Sequence, residues 1–132
     1  MVSTHGLTHV ALRVSDPERS AAFYGSVVGA VPVYRTAAFV QAQIPGTRDV
    51  LVFERADGKG DAIGKSGGIA HFGFRLRDPG DIDTAVSVVE AAGGRILRRG
   101  EFVAGEPYVF FQDLDGYEVE IWFEIPTPVD PT

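Results

Sequence analysis

The stretch HVALRVSDP at residues 9–17 recurs in altered form as HFGFRLRDP at residues 71–79. The offset is 71 − 9 = 62 residues, nearly half of the 132-residue chain. Both copies begin with His, carry Arg four positions on, and have Asp-Pro seven and eight positions on. Repetition at a fixed offset is typical of a chain that uses one supersecondary unit twice. The sequence therefore predicts two similar modules.

Each copy has the alternating pattern of a β-strand with one apolar face. The apolar residues recur at every second position: Val10, Leu12 and Val14 in the first copy, and Phe72, Phe74 and Leu76 in the second. Successive side chains of a strand point to opposite faces of the sheet. His9 and His71 therefore lie on the face opposite the apolar one in their respective strands.

A helix is predicted after each strand, and three short strands after each helix. Asp16-Pro17 supplies an N-cap and a first-turn proline to the first helix, and either Asp78-Pro79 or Asp81 opens the second. The β-rich runs that follow cover residues 31–35, 39–44 and 50–55 in the first half, and 95–97, 108–112 and 117–124 in the second. Each module is therefore βαβββ.

The predicted fold class is α+β, with two tandem βαβββ modules forming a curved mixed sheet that makes a cup. Module one covers about residues 5–56 and module two about residues 69–125 of a single domain. Residues 57–68, which are rich in glycine and charge, form the linker. The proline-rich tail at residues 126–132 is interpreted as either loose or lying on a partner subunit.

The composition favours a small-molecule ligand over a macromolecular one. The chain has a formal net charge of −6, which argues against nucleic acid because that partner requires clustered Lys and Arg. It has no cysteine, so disulfides, thiolate metal sites and cysteine nucleophiles are excluded. No signal-peptide pattern and no uncharged run of the roughly 18 residues that a membrane span requires is present. We expect a cytoplasmic protein with neither a membrane nor a nucleic-acid partner.

Three side chains with metal-binding chemistry are expected on one concave face. The alternation of Val119, Ile121 and Phe123 turns Glu120 to the same face as His9 and His71. Two neutral imidazoles and one carboxylate favour iron(II), nickel, zinc or manganese. The sequence therefore predicts one divalent metal ion per site. The neighbouring Glu118 and Glu124 are interpreted as exposed or rim carboxylates.

Glu54 is the candidate for a fourth metal ligand. If Leu51 and Phe53 face the core, Glu54 faces the cup, but a slip of one residue in the strand register inverts this arrangement. The alternative is an exposed carboxylate at the end of a strand, paired with Arg55 or Lys59. The sequence leaves both interpretations open.

Candidate substrate-binding residues have two interpretations each. Arg13 and Arg75, which recur at equivalent repeat positions, either hold an anionic substrate or balance carboxylates of the cup. Tyr108, Phe110 and Trp122 either stack on a flat ligand or belong to the ordinary core. His5 is interpreted as an N-terminal surface residue.

The paired modules, with a His in the first strand, a His in the fifth and a Glu in the eighth, resemble the vicinal oxygen chelate superfamily. The segment DLDGYEVE at residues 113–120 is similar to the terminal signature of that family, with Leu114 in place of the usual proline. The resemblance implies a divalent-metal-dependent enzyme whose small, oxygen-rich substrate chelates the metal through vicinal oxygens. A homodimer is expected, because a two-module sheet curls only halfway and exposes strand edges that a second copy can cover. In many relatives the cup is completed across that interface, so the resemblance leaves open whether Glu54 belongs to the site of its own chain or to that of the partner.

The resemblance leaves the reaction open. A glyoxalase-like lyase or isomerase would use Glu54 and Glu120 as catalytic carboxylates, although Glu54 lies two residues late along its strand. A ring-cleaving dioxygenase fits the three-ligand set, but its usual catalytic His and Tyr have only His5 and Tyr108 as candidates. Fosfomycin transfer requires basic loop residues without an evident counterpart at residues 98–107. The alternative class is a bleomycin-resistance-like protein that sequesters an antibiotic without catalysis.

Overall fold

The computed structural model describes residues 1–58, 62–65 and 67–131, and it confirms the two βαβββ modules. The first module consists of β1 (His9–Val14), α1 (Pro17–Val28), β2 (Val31–Arg35), β3 (Phe39–Gln43) and β4 (Val50–Arg55). The second consists of β5 (Phe72–Arg75), a 3-10 turn (Pro79–Asp81), α2 (Ile82–Ala91), β6 (Arg95–Glu101), β7 (Pro107–Gln112) and β8 (Glu118–Trp122).

Each module forms its own four-stranded mixed sheet. The strand orders are β1-β4-β3-β2 and β5-β8-β7-β6, so the second sheet repeats the topology of the first. In each sheet the first and last strands of the module pair in parallel, and the remaining pairs are antiparallel. The first strand of each repeat therefore lies at a sheet edge, beside the strand that ends its module.

The two helices begin differently. The Asp16 side chain accepts hydrogen bonds from the backbone N–H groups of Glu18 and Arg19, and α1 ends at Gly29 in the left-handed conformation. Asp78 instead caps the short 3-10 turn by accepting from the N–H of Gly80, and α2 starts only at Ile82. The second Asp-Pro thus opens a 3-10 turn that precedes the helix.

The apolar faces of both sheets and both helices share one core. Tyr24 of α1 stacks on Phe53 of its own module at 5.3 Å between ring centroids, and Phe23 reaches Phe111 of the other module at 6.3 Å. Gly94 permits this contact, because an added Cβ would lie 3.1 Å from Cζ of Phe23 and 2.7 Å from Cγ1 of Val89. The helices thus pack inward, which leaves the opposite faces of the sheets exposed.

The turn at residues 113–116 fastens the second module to α1. Asp115 Oδ1 accepts hydrogen bonds from the backbone N–H and the hydroxyl of Ser15, at 3.2 and 2.7 Å. Asp113 is buried and accepts from the Tyr24 hydroxyl at 2.6 Å and from the N–H of Tyr117 at 3.0 Å. Burial raises the pKa of Asp113, and these hydrogen bonds oppose the rise. The two aspartates of the DLDG segment therefore have a structural role.

The C-terminal tail, for which the sequence left open a loose segment or an arm on a partner, contacts its own chain. Arg75 donates a bidentate pair of hydrogen bonds to Asp130, at 2.8 and 3.2 Å, and a third to the backbone carbonyl of Glu124. Asp130 also accepts from the N–H and hydroxyl of Thr127. A charge-assisted bidentate pair fixes both partners, which explains the docking.

Within the described part of the chain, no helix is long and apolar enough to cross a membrane.

Candidate functional site

The four candidate ligands lie in two pairs, one pair on each sheet. We call the pair His71 and Glu120, on the face of the second sheet opposite the core, the C-terminal half-site. We call the pair His9 and Glu54, on the face of the first sheet opposite the core, the N-terminal half-site. The repeat predicts this division, because each module contributes one histidine at the start of its first strand and one carboxylate from its last. His9 is the first residue of β1, and His71 immediately precedes β5.

In the C-terminal half-site an imidazole and a carboxylate are adjacent. His71 Nε2 lies 3.5 Å from Glu120 Oε1. Glu120 is only 7% exposed, and its Oε2 atom accepts no hydrogen bond from any described residue. Burial raises the pKa of Glu120, while His71 and Arg98 oppose the rise. A buried carboxylate oxygen without a partner is costly, and a divalent cation shared with the imidazole would compensate it. The donor chemistry of the pair fits a metal ion.

Gly73 leaves space beside this carboxylate. The strand register places Gly73 opposite Glu120, two residues after His71. An added Cβ at Gly73 would lie 3.3 Å from Cβ of Glu120 and 3.6 Å from its Oε1 atom. A larger residue would therefore crowd Glu120.

A second carboxylate and a cation flank the half-site. Glu118 Oε2 lies 4.0 Å from His71 Nδ1, and Glu118 Oε1 lies 3.1 Å from Nη1 of Arg98. The Arg98 guanidinium stands 4.0 Å above the ring of Phe110, which meets the His71 ring edge-on at 4.8 Å. The sequence pattern predicts a rim position for Glu118 and no role for Arg98. Strand alternation could have indicated that Glu118 is near the half-site, because it turns Glu118 to the same face as Glu120.

The aromatic candidates come together next to the C-terminal half-site, with one addition. Tyr108 meets Phe110 edge-on at 5.5 Å, and Phe102 stacks on Tyr108 at 4.2 Å and meets Trp122 at 5.9 Å. We call these four residues the aromatic patch. Phe102 lies in the loop between β6 and β7, which is why strand patterns missed it. Phe110 is buried and Phe102 is half exposed, so the patch runs from the half-site to the surface.

In the N-terminal half-site the histidine and the carboxylate are farther apart along the sheet. Leu51 and Phe53 are buried, so Glu54 faces the same side as His9, and both line a cavity of about 240 Å³. The register places Glu54 opposite Arg13, four residues after His9. Glu54 thus lies on the cup side of its strand. Of its alternative partners, Lys59 lies outside the described residues.

Within one chain the three expected ligands do not converge. His9 and His71 border a common cavity of about 430 Å³ between β1 and β5. Even so, in the ranges 1–58, 62–65 and 67–131, no three His, Asp or Glu side chains are grouped closely enough to hold a metal ion. The structure brings together His71 and Glu120, and leaves His9 and Glu54 on the other sheet. His5 is exposed in the segment before β1.

The two candidate arginines differ in their surroundings. Arg13 lines a cavity of about 710 Å³ together with His9 and His71. Arg75 is engaged by Asp130 and Glu124, and these carboxylates raise its pKa. Arg75 would therefore have to exchange its internal carboxylate partner for an anionic ligand.

The model of the Glyoxalase/Bleomycin resistance protein/Dioxygenase superfamily matches residues 6–121. The chain belongs to this superfamily. The match confirms the resemblance drawn from the paired histidine strands and the terminal segment, and the paired four-stranded sheets are the fold of this superfamily. None of the curated proteins matches the sequence.

Solved structures of the superfamily share the fold over nearly the whole chain. A glyoxylase/bleomycin resistance protein/dioxygenase domain from Frankia sp. EAN1pec has 22% identity and a TM-score of 0.76, with 93% of this chain and 100% of that chain covered. The fosfomycin resistance protein FosX from Listeria monocytogenes has 21% identity and a TM-score of 0.76, with 95% and 96% covered. A glyoxalase-related enzyme from Fulvimarina pelagi has 25% identity and a TM-score of 0.72, with 98% and 96% covered.

Proposed function

We propose that this protein is a divalent-metal-dependent enzyme of the glyoxalase or dioxygenase type, acting on a small substrate that binds the metal through two vicinal oxygens. The observation that carries the proposal is the buried Glu120 Oε2 atom, which has no hydrogen-bond partner among the described residues and lies on a side chain next to His71. Native proteins rarely leave such an atom unpaired, and functional sites are the usual exception. His71 and Glu120 are therefore the first two ligands that we assign.

The third ligand in this proposal is His9 of a second copy of the chain. His9 lies on the exposed face of β1, and no third ligand from the described part of its own chain joins His71 and Glu120. Leu7 and Ile69, which border the same cavity as both histidines, are 81% and 66% exposed. Apolar residues exposed beside a groove are typical of a surface that a partner covers. A homodimer would bury them and bring the two half-sites together.

The residues of the chain divide the remaining work. A bound metal supplies Lewis-acid stabilisation of the negative charge that develops on the substrate oxygens. We assign proton transfer to Glu54, because it is a half-buried carboxylate that faces the cup without being next to a histidine. The aromatic patch would bind the carbon skeleton of the substrate and exclude water. A FosX mutant from Listeria monocytogenes, 20% identical, is complexed with Mn(II) and a dihydroxypropylphosphonic acid, which supports a substrate with vicinal oxygens.

The test is the metal content of untagged protein and of two ligand variants, measured by elemental mass spectrometry. We expect about one cation per chain in the wild type and nearly none in His71→Ala or in His9→Ala. The absence of a cation from wild-type protein after reconstitution with iron(II), nickel, zinc and manganese would overturn the proposal.

Co-expression of the two variants tests the shared site. A heterodimer of His9→Ala and His71→Ala would contain one intact site, made by His9 of one copy and by His71 and Glu120 of the other. We expect it to bind about half a cation per chain, whereas either homodimer binds nearly none. If all three ligands come from one chain, the heterodimer will bind no more metal than the homodimers do.

Antibiotic sequestration without catalysis is the second candidate function, and the aromatic patch favours it. Stacked rings reaching from a buried Phe110 to an exposed Phe102 suit a flat aromatic ligand. Tight binding of a bleomycin-type drug by metal-free protein, unchanged in His71→Ala, would favour sequestration. Binding that requires the metal would favour the enzyme.

A further inference from the structure

His71 has a carboxylate on each side of its ring. Its Nε2 atom lies 3.5 Å from Glu120 and its Nδ1 atom 4.0 Å from Glu118. The two carboxylates are alternate residues of β8, so both face the cup, but their environments differ. Glu120 is buried, whereas the Glu118 side chain is 29% exposed. The imidazole therefore has a buried partner at one nitrogen and a more exposed partner at the other.

A metal-binding histidine usually donates its second ring N–H to a carboxylate or a carbonyl, and this bond fixes both the tautomer and the ring orientation. Nε2 faces Glu120, so Nε2 is the nitrogen that would bind a cation together with that carboxylate. Nδ1 would then carry the proton and would face Glu118.

Arg98 anchors one carboxylate oxygen of Glu118 close to His71. Nη1 of Arg98 lies 3.1 Å from Oε1 of Glu118, which leaves Oε2 turned toward His71. Phe110 supports both ends of the row, since its ring lies 4.0 Å below the guanidinium and meets the imidazole edge-on. Arg98, Glu118 and His71 thus form a continuous row above one aromatic ring.

We propose that Glu118, held by Arg98, is the positioning residue of His71: it accepts the Nδ1–H and so presents Nε2 to the cation that Glu120 binds. This role rests on the proposed metal site. The separation of 4.0 Å is longer than a hydrogen bond and must shorten by about 1 Å. The proposal requires a small rotation of the Glu118 carboxylate that keeps Oε1 on Arg98. The first module has no carboxylate at the position equivalent to Glu118, because β4 places Val50 opposite His9.

The first measurement uses metal-free protein, so it does not depend on the site being loaded. Nitrogen-15 NMR of the imidazole at about pH 8.5, where histidine side chains are neutral, reports which nitrogen carries the proton. Glu120 lies 3.5 Å from Nε2 and competes for the proton there when no cation is bound. We therefore expect the Nδ1–H tautomer of His71 to be more populated in the wild type and in Glu118→Gln, which keeps an acceptor oxygen, than in Glu118→Leu. In Glu118→Leu we expect the Nε2–H tautomer to increase. An unchanged tautomer in Glu118→Leu would overturn the role.

The second measurement is the affinity for Mn²⁺ and Zn²⁺ by calorimetry. We expect Kd to rise about 10-fold to 100-fold in Glu118→Leu, and to stay within about threefold of the wild type in Glu118→Gln. Glu90→Leu, an exposed carboxylate on α2, is the matched control and should leave Kd unchanged. Equal loss in Glu118→Gln and Glu118→Leu would show that charge alone matters, which would contradict positioning.

Arg98→Met keeps the test informative if Glu118→Leu folds poorly. It leaves Glu118 in place but removes its anchor, so we expect a smaller loss of affinity and a partial change of tautomer.

If wild-type protein binds no cation, the proposed function fails, while the NMR measurement still decides how His71 is oriented. If the wild type binds a cation and Glu118→Leu binds it equally well with an unchanged tautomer, the positioning role fails and the metal site stands.

Discussion

The two half-sites start from the same repeat and end with different chemistry. In the second module β8 places Glu120 opposite Gly73, two residues after His71, and the imidazole and carboxylate meet at 3.5 Å. In the first module β4 places Val52 opposite Ala11, the equivalent position, and Glu54 comes one pleat later, opposite Arg13. A shift of two residues along one strand therefore decides which histidine has an adjacent carboxylate.

This difference shows that a repeat can place its carboxylates differently in two copies that share one strand topology. The strand orders and the parallel pairing of first and last strands are identical in the two modules. A shift of two residues keeps a side chain on the same face, because side chains alternate with a period of two. Glu54 thus stays in the cup while moving away from His9, which suits a role other than metal binding.

The largest effect is expected from comparing Glu120→Ala with Glu54→Ala. Glu120→Ala removes the carboxylate next to His71, so metal affinity should fall by at least about tenfold. Glu54→Ala should leave metal affinity within about threefold of the wild type, because no described contact joins Glu54 to a histidine. Calorimetric titration with Zn²⁺ measures both. Equal losses in the two variants would make Glu54 a fourth ligand and would remove the distinction between the half-sites.

A smaller effect is expected at Gly73, opposite Glu120, and at its repeat counterpart Ala11, opposite Val52. Gly73→Ala adds a Cβ that would lie 3.1 Å from the Glu120 backbone oxygen and 3.3 Å from its Cβ. If the crowding costs about 1 kcal/mol, metal affinity falls about fivefold. Ala11→Gly, at the equivalent position of β1, is the matched control and should leave affinity unchanged. Full affinity in Gly73→Ala, measured by the same titration, would show that the space beside Glu120 is not needed.

The smallest effect concerns the contact between Arg75 and Asp130 of the C-terminal tail. Arg75 and the Thr127 groups hold the pKa of Asp130 at about 2, below its ordinary value. Because the folded-state pKa is lowered, docking of the tail is complete above the unfolded pKa of about 3.9 and is lost as pH falls through about 2. Hydrogen exchange of residues 126–131 should show this loss in the wild type. Asp130→Asn should release the tail at all pH values; a tail equally protected in that variant would show that Arg75 does not hold it.

Much of the fold could be predicted from the sequence because local signals agree with one another. The period-two strands, the Asp16-Pro17 cap and the glycines after the helices all indicate the same βαβββ unit, and the repeat indicates it twice. Two details could not be predicted. The second Asp-Pro opens a 3-10 turn, and the tail docks on Arg75, because each depends on contacts made only after folding.

For most candidate ligands the sequence predicted the face of the sheet on which each lies, but it did not predict which ligands are adjacent. Alternation turned His9, His71 and Glu120 to one face, and it left two registers open for Glu54, which the structure places on the cup side. Alternation says nothing about distance between strands, so it did not distinguish the adjacent pair from the separated one. The contribution of Arg98 depends on the pairing of β6 with β7, which places it opposite Phe110 across a bulge.

By itself, the sequence determined the two modules, the chemistry of the candidate ligands and the face of the strand on which His9, His71 and Glu120 lie. These follow from periodicity and composition, which are local properties. Only the tertiary structure decided that His71 meets Glu120, that Glu120 Oε2 is buried without a partner among the described residues, and that Asp113 joins Tyr24 in the core. The physical reason is that burial and strand register depend on contacts between segments far apart in the chain, and such contacts leave no period in the sequence.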